Sequence, residues 1–384
     1  MIVAGGGVIG LACAWSAMRR GMRVVVLERA EATAGATRVA AGMLAPVGEL
    51  QHGEEVLLEM TVASAAMYSE WAGEVEEASG RPTGYERLGS LHVALDRDEA
   101  EVLRRQHELQ RSVGLEAEWL SPRGCRRLEP GLHPSLNGGV FVEGEAVVDP
   151  RLLAEALRGA LERGGAAMRF GAEVVELVCE GERAVGVRLA DGEELRAEAI
   201  VAATGSWSGG AGSWLPEEVR PPVRPVKGEV VELGSRRGER LCERIVASER
   251  VYVVPRADGR VILGATMEEA GFDDAVTAGG VLELLREAYR LLPEVAEMEV
   301  VEVAAGLRPG SPDNVPIVGR SEMKGLVLAT GHHRNGILLA PLTGEAVAVV
   351  LEGEEVEGPL RAADPRRFTT GPRLFANVPA GVSR

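Results

Sequence analysis

Three segments of the chain end an apolar run in a glycine turn, and such turns can present backbone N–H groups to phosphate. The first is Gly5-Gly6-Gly7-Val8-Ile9-Gly10, directly after Met1-Ile2-Val3-Ala4. Gly5 permits the sharp bend, Gly7 lets the backbone approach a pyrophosphate, and Gly10 allows close packing of helix on strand. A helix starting there points unpaired N–H groups and a partial positive charge at the phosphate. The next strand, Arg23 to Leu27, ends at Glu28, about 20 residues beyond the turn, where a carboxylate can bond ribose hydroxyls and would repel a 2′-phosphate. Strand, turn, helix, strand and acid in that order are far more specific than the glycines alone. The other two turns are Ala203-Thr204-Gly205 and Ala329-Thr330-Gly331.

The first turn suits FAD and NAD alike. Two further turns fit a long cofactor touched by several segments, and no second GxGxxG follows a strand. An enzyme reduced by NAD(P)H usually needs a second nucleotide site, so an organic substrate is expected to reduce a flavin directly. Cys13, Cys125, Cys179 and Cys242 are scattered, without a CxxC pair or metal-like spacing to histidine. No metal site and no disulfide-reductase centre is expected.

These residues need elements to hold them. Asp149-Pro150 before Leu152, Leu153, Ala156, Leu157 and Leu161 predicts a capped amphipathic helix, closed by Gly164-Gly165. Strands are expected at Glu173–Leu177 and Ala184–Leu189, with a hairpin turn at Asp191-Gly192, and at Glu198–Ala203. From Arg224 to Val303 the pattern is β-rich, interrupted by a helix near Val281–Leu292, and a last apolar helix runs from about Thr343 to Leu351. Nucleotide-type segments at the start, middle and end, with β-rich material between, predict an α/β fold. Its Rossmann-like FAD-binding domain is discontinuous (1–80, 142–222 and 304–360). An inserted α+β substrate domain (81–141 and 223–303) stands on a mainly antiparallel sheet, and a tail (361–384), rich in Pro, Arg and Gly, is expected to be loosely ordered.

The chain has 384 residues and a formal charge of -16, which argues against nucleic acid or anionic membrane as partner. No apolar run reaches the roughly 18 residues of a membrane helix. The chain opens on a strand, so a cytoplasmic protein is expected, although the brevity of that strand leaves a start further upstream open.

Several motifs together resemble the D-amino-acid-oxidase-like flavoproteins, and within them the glycine oxidases of thiamine biosynthesis. They are the first glycine turn, Ala40-Ala-Gly-Met-Leu44, Arg224-Pro-Val-Lys-Gly-Glu229, Tyr252-Val-Val-Pro-Arg256, Ala305-Gly-Leu-Arg-Pro-Gly310 and Gly331-His-His-Arg-Asn-Gly-Ile-Leu-Leu-Ala-Pro341. The resemblance implies non-covalent FAD, since Gly306 stands where sarcosine oxidases carry their linking cysteine. It places Gly5, Gly7, Val8, Ile9, Gly10, Glu28, Arg29, Ala36, Thr37 and the stretch Ala41-Gly42-Met43 at the ADP half, with Val174 at the adenine and Gly205 among the cofactor contacts. His332, His333, Arg334, Asn335, Gly336, Ile337 and Leu338 would wrap the flavin ring. Arg308 and Arg334 would hold the substrate carboxylate, with Tyr252 as a hydroxyl donor beside them. No catalytic base is identified, and backbone contact rather than base chemistry is expected of His332 and His333. The sequence departs from the family pattern at His333, where an aromatic is expected, and at Arg250, where a histidine can stand.

The implied reaction is oxidation of glycine by hydride transfer, giving the imine and then glyoxylate and ammonia, with dioxygen reoxidising the flavin to yield hydrogen peroxide. The resemblance also implies a homotetramer that passes the imine to a thiazole synthase. A broader D-amino-acid or sarcosine-type oxidase or dehydrogenase, and a non-catalytic flavin-binding assembly factor, are the alternatives.

Overall fold

The computed structural model describes residues 1–30, 34–210 and 213–368. At its centre is a six-stranded sheet ordered Ile317–Arg320, Leu326–Thr330, Ile200–Ala202, Ile2–Ala4, Val25–Glu28, Ala167–Phe170. Five strands are parallel and only Ile317–Arg320 runs against its neighbour. Successive residues enter opposite cores: Val3, Val26, Val201 and Val327 lie on the helical side, while Ile2, Leu27, Ile200 and Leu326 lie on the other. A strand covered on both faces has to be apolar throughout, which is why these segments read as unbroken runs.

The helices Val8–Arg19, Glu55–Ser79, Pro150–Arg163 and Ala340–Leu351 fill the first side. The other is covered by the antiparallel strands Val174–Glu180, Arg183–Leu189 and Glu194–Arg196. Asp149 caps its helix as expected, accepting from the backbone N–H of Arg151 (2.9 Å) and Leu152 (3.3 Å).

A second layer is an eight-stranded sheet ordered Glu299–Gly310, Arg224–Gly234, Arg260–Gly264, Tyr252–Pro255, Ile245–Ala247, Ser90–Val93, Gly139–Val142, Glu118–Leu120. All neighbours are antiparallel except Ile245–Ala247 beside Ser90–Val93. The helix Ala278–Leu291 packs on it through Leu284, Ala288 and Leu291. The architecture is the expected one: a discontinuous Rossmann-like α/β unit with an α+β insertion on a mainly antiparallel sheet.

Three differences from the sequence reading have local causes. The last helix starts at Ala340 rather than Thr343, because Pro341 belongs to its first turn, where no N–H partner is needed. The helices Glu55–Ser79 and Arg97–Ser112 lie where the sequence suggests no element, and the second is so polar that Glu99 and Gln110 are buried with it and its apolar buried residues are Ala100 and Leu103. From Gly358 to Phe368 the chain is not loose: Gly358–Ala363 and Pro365–Phe368 form tight helical turns, with Leu360 and Ala363 buried in the core. The rest of the tail, 369–384, lies outside the described residues.

Candidate active site

One cavity of about 1070 Å³ runs between the two layers. It is lined by Gly5, Gly7, Val8, Ile9, Glu28, Arg29, Ala36, Thr37, Ala41, Gly42, Met43, Val174 and Gly205, and also by Tyr252, Arg308, His332, His333, Arg334, Gly336 and Ile337. Residues drawn from across the sequence thus meet around one space. Gly10, Asn335 and Leu338 do not line it. Gly10 serves packing, since a Cβ there would sit 1.9 Å from the Gly5 carbonyl oxygen. Asn335 and Leu338 are buried.

At one end the turn is built for an anion. Gly5 has φ +112°, and a Cβ on it would lie 2.3 Å from the Ala203 carbonyl oxygen. The N-cap of the helix it opens, Gly7, offers no side-chain cap and the first turn holds no acid, so apart from the Val8 N–H the helix's positive end stays free for phosphate. Thr37 Oγ1 accepts the Val8 N–H at 3.0 Å. Glu28 accepts from Gly6 N–H (2.7 Å) and Ala30 N–H (2.9 Å), so the acid expected at the ribose also fastens the turn. The Arg29 guanidinium lies 4.0 Å above the Trp207 ring. These features fit the phosphate and adenosine end of FAD. The stretch Ala41-Gly42-Met43 is expected there too, yet Ala41 and Met43 pack in one cluster with Tyr252, Val254, Ile262 and Ala265 of the antiparallel sheet. Pairing of Met43 with Val147 carries the segment to that end of the cavity.

The antiparallel sheet supplies the charged end. Arg308 lies on Glu299–Gly310, Tyr252 on Tyr252–Pro255. Arg308 Nη1 donates to the carbonyls of Thr266 (3.1 Å) and Lys227 (3.4 Å), and its guanidinium forms no ion pair among the described residues. Room for both side chains comes from glycine. A Cβ on Gly228 would fall 2.1 Å from Arg308 Nη1, and one on Gly264 would fall 2.3 Å from the Tyr252 hydroxyl. Burial pushes that hydroxyl up to about 12, with the nearby Arg308 charge opposing, so it is a protonated donor at neutral pH.

Arg334 is differently placed. It forms a two-pronged ion pair with Glu54, Nη1 standing 3.2 Å from Oε1, and Nη2 also donates to the Glu49 carbonyl at 3.3 Å. Arg308 thus has no acid held against it among the described residues, whereas Arg334 orders the loop that carries Glu49 and Glu54. Burial raises Glu49, with Arg334 and Arg308 pulling it back. Burial lowers His332 to about 3 and His333 to about 4, so neither carries charge at neutral pH. His332 Nε2 is hydrogen-bonded to Thr343 Oγ1 at 3.0 Å, while His333 adopts φ +47°, strained for a non-glycine residue. From the long helix Glu55–Ser79, Tyr68 and Ser64 donate to the carbonyls of Ile337 (3.1 Å) and Leu338 (2.6 Å) and fix that backbone.

Sequence reasoning does not find Glu49, Glu54, or the buried pair His92 and Glu145. Glu145 Oε1 accepts from Val47 N–H (3.0 Å) and Gly48 N–H (2.6 Å), and His92 lines the cavity beside this turn. A Cβ on Gly48 would meet both, 2.2 Å from His92 Nε2 and 2.9 Å from Glu145 Oε2. Burial raises Glu145 to about 7 and lowers His92 to about 4. A glycine before an acid is the only trace of this in the sequence, and it is too common to be a signal.

Comparison with known proteins bears on the family and the fold. Glycine oxidase from Geobacillus kaustophilus is 34% identical over 355 residues, covering 92% of this chain and 93% of that protein. Its crystal structure superposes with a TM-score of 0.89 over 95% of this chain and 98% of its own. Iminodiacetate oxidase from Chelativorans sp. BNC1 gives 0.85 at 28% identity, covering 95% of this chain and 98% of that one. The bifunctional protein ThiO/ThiG of Trichormus variabilis is 37% identical over 91% of this chain, which spans 52% of its length. Residues 1–349 match the family model for FAD dependent oxidoreductases. With that match and these two ends of one cavity, the chain belongs to the FAD-dependent oxidoreductase family.

Proposed function

We propose that the chain oxidises glycine, and more slowly sarcosine or small D-amino acids, to the imine, which water converts to glyoxylate and ammonia. One observation carries the reading: the Arg308 guanidinium lines the cavity with no ion-pair partner among the described residues, beside a protonated Tyr252 hydroxyl. A planar guanidinium can hold a carboxylate through two parallel hydrogen bonds, and Tyr252 adds a third that stops rotation. The Cα–H bond is then held toward the cofactor, and positioning of this kind supplies several kcal/mol of barrier lowering. Non-covalent FAD, when bound, accepts the two electrons, and dioxygen takes them on to give hydrogen peroxide. Gly306 has no thiol to offer the cofactor, and a Cβ there would stand 2.2 Å from Val39 Cγ2.

Glycine added without air to the FAD-loaded protein should bleach the flavin absorbance, and air should restore it with release of peroxide. Protein bleached faster by sarcosine or D-alanine than by glycine would move the preference within the same chemistry. Loaded protein that no small amine bleaches would refute the oxidase reading. We further place the enzyme in the cytoplasm as a homotetramer; that it hands its imine to a thiazole synthase is supported by relatives that are bifunctional ThiO/ThiG proteins about twice as long. Trapping of the imine by added thiazole synthase, in place of free glyoxylate, tests the hand-off.

A further inference from the structure

Directly after the strand that carries Tyr252 comes Arg256, which is only 6% exposed and does not line the main cavity. It lines instead a second, small pocket of about 20 Å³ together with Asp149 and Arg260. Its Nη2 donates to the Ala41 carbonyl, and its Nε stands 3.8 Å from Asp149 Oδ2. Nε and Nη1 have no hydrogen-bond partner among the described residues. A guanidinium buried this incompletely satisfied costs stability, so what it holds in place needs explaining.

The Ala41–Gly42 peptide is trans and planar, so its C=O and N–H point in opposite directions. With the Ala41 carbonyl drawn toward Arg256, the Gly42 N–H is turned away from it, toward the cavity that Ala41 and Gly42 both line. No group among the described residues accepts that N–H. Its ladder neighbour Val148 donates to the Gly42 carbonyl at 2.9 Å, yet Gly42 does not donate back. The reason is its left-handed φ of +72°, a conformation in which a Cβ would fall 1.9 Å from the Val148 carbonyl oxygen. Ala41 and Met43 pack against Tyr252 and Ala265, so this free donor stands at the substrate end.

We propose that Arg256 is a positioning residue: by gripping the Ala41 carbonyl from behind, it aims the Gly42 N–H at the redox-active ring of the bound cofactor. The donor then stabilises the extra negative charge of the reduced ring, and Arg256 sets part of the potential without touching the cofactor. Asp149 keeps the guanidinium in place, and Arg260, 3.0 Å from Asp149 Oδ2, keeps Asp149 in place. The inference rests on FAD occupying the main cavity.

Two measurements on the FAD-loaded protein test it. In Arg256→Met, which has no donor for Ala41, the preference for reduced over oxidised cofactor should fall about tenfold, a drop in midpoint potential of about 30 mV for a two-electron couple. Arg256→Lys, which keeps a donor for Ala41, should recover part of the difference. In the wild type, which needs no substitution to fold, exchange of the Gly42 amide hydrogen should slow on FAD loading. An unchanged potential in Arg256→Met, or a Gly42 amide that exchanges equally fast with and without FAD, overturns the inference and leaves the oxidase reading standing. Wild-type protein that takes up no FAD overturns both.

Discussion

Replacing Glu145 with glutamine removes a charge that the fold disfavours. The carboxyl rises from an ordinary value near 4.5 to about 7, because burial outweighs the N–H groups of Val47 and Gly48 that it accepts. Between those two pH values the folded protein binds more protons at this site than the unfolded chain does, so stability falls as pH rises. At about 1.4 kcal/mol per pH unit the loss amounts to about 3 kcal/mol, complete just above pH 7. His92, lowered to about 4, slopes the other way between about 4 and 6.5, as do His332 and His333, and these contributions are common to both proteins. The informative quantity is therefore a difference. Urea unfolding of wild type and Glu145→Gln from pH 4 to pH 9 should show the variant gaining about 3 kcal/mol on the wild type up to pH 7, then holding that lead. A difference that stays flat from pH 4.5 to 7 would mean that Glu145 is not held neutral by burial.

Two other substitutions probe the charged end. Gly228→Ala puts a methyl group where Arg308 Nη1 now lies, 2.1 Å from the ideal Cβ; displacing a charged hydrogen bond should raise KM for glycine about 10- to 100-fold with FAD retained, and an unchanged KM would show that Arg308 does not meet the substrate. Glu54→Gln frees the charge of Arg334, so steady-state kinetics should favour a dicarboxylic amine such as iminodiacetate over glycine by about tenfold relative to wild type, from roughly 1.4 kcal/mol of screened attraction. Equal changes for the two substrates would count against any pull of Arg334 on bound anions.

What the sequence discloses and what it hides have separate physical origins. The phosphate turn is legible because Gly5 must adopt positive φ and Gly10 must touch backbone, and both demands are local. The buried sheet is legible because both faces need apolar residues. Glu54 and Arg334 are not, since they lie 280 positions apart and nothing in either segment marks them as partners. Glu49 and Glu145 look like the many acids that face solvent, and only the folded chain shows them inside. The packing of Ala41-Gly42-Met43 beside Tyr252 is hidden for the same reason: it is set by pairing with Val147, far along the chain. Resemblance supplies Arg308 and Tyr252, but the glycines that make room for them, Gly228 and Gly264, become meaningful only when the side chains are seen above them.

The carboxylate anchor is most directly tested by stopped-flow reduction of the FAD-loaded protein with glycine in the absence of air, comparing wild type with Arg308→Lys. A single ammonium cannot reproduce two parallel bonds, so the variant should hold FAD normally yet be reduced at least about 100-fold more slowly at a given glycine concentration. Reduction of Arg308→Lys at close to the wild-type rate would contradict the account at its centre.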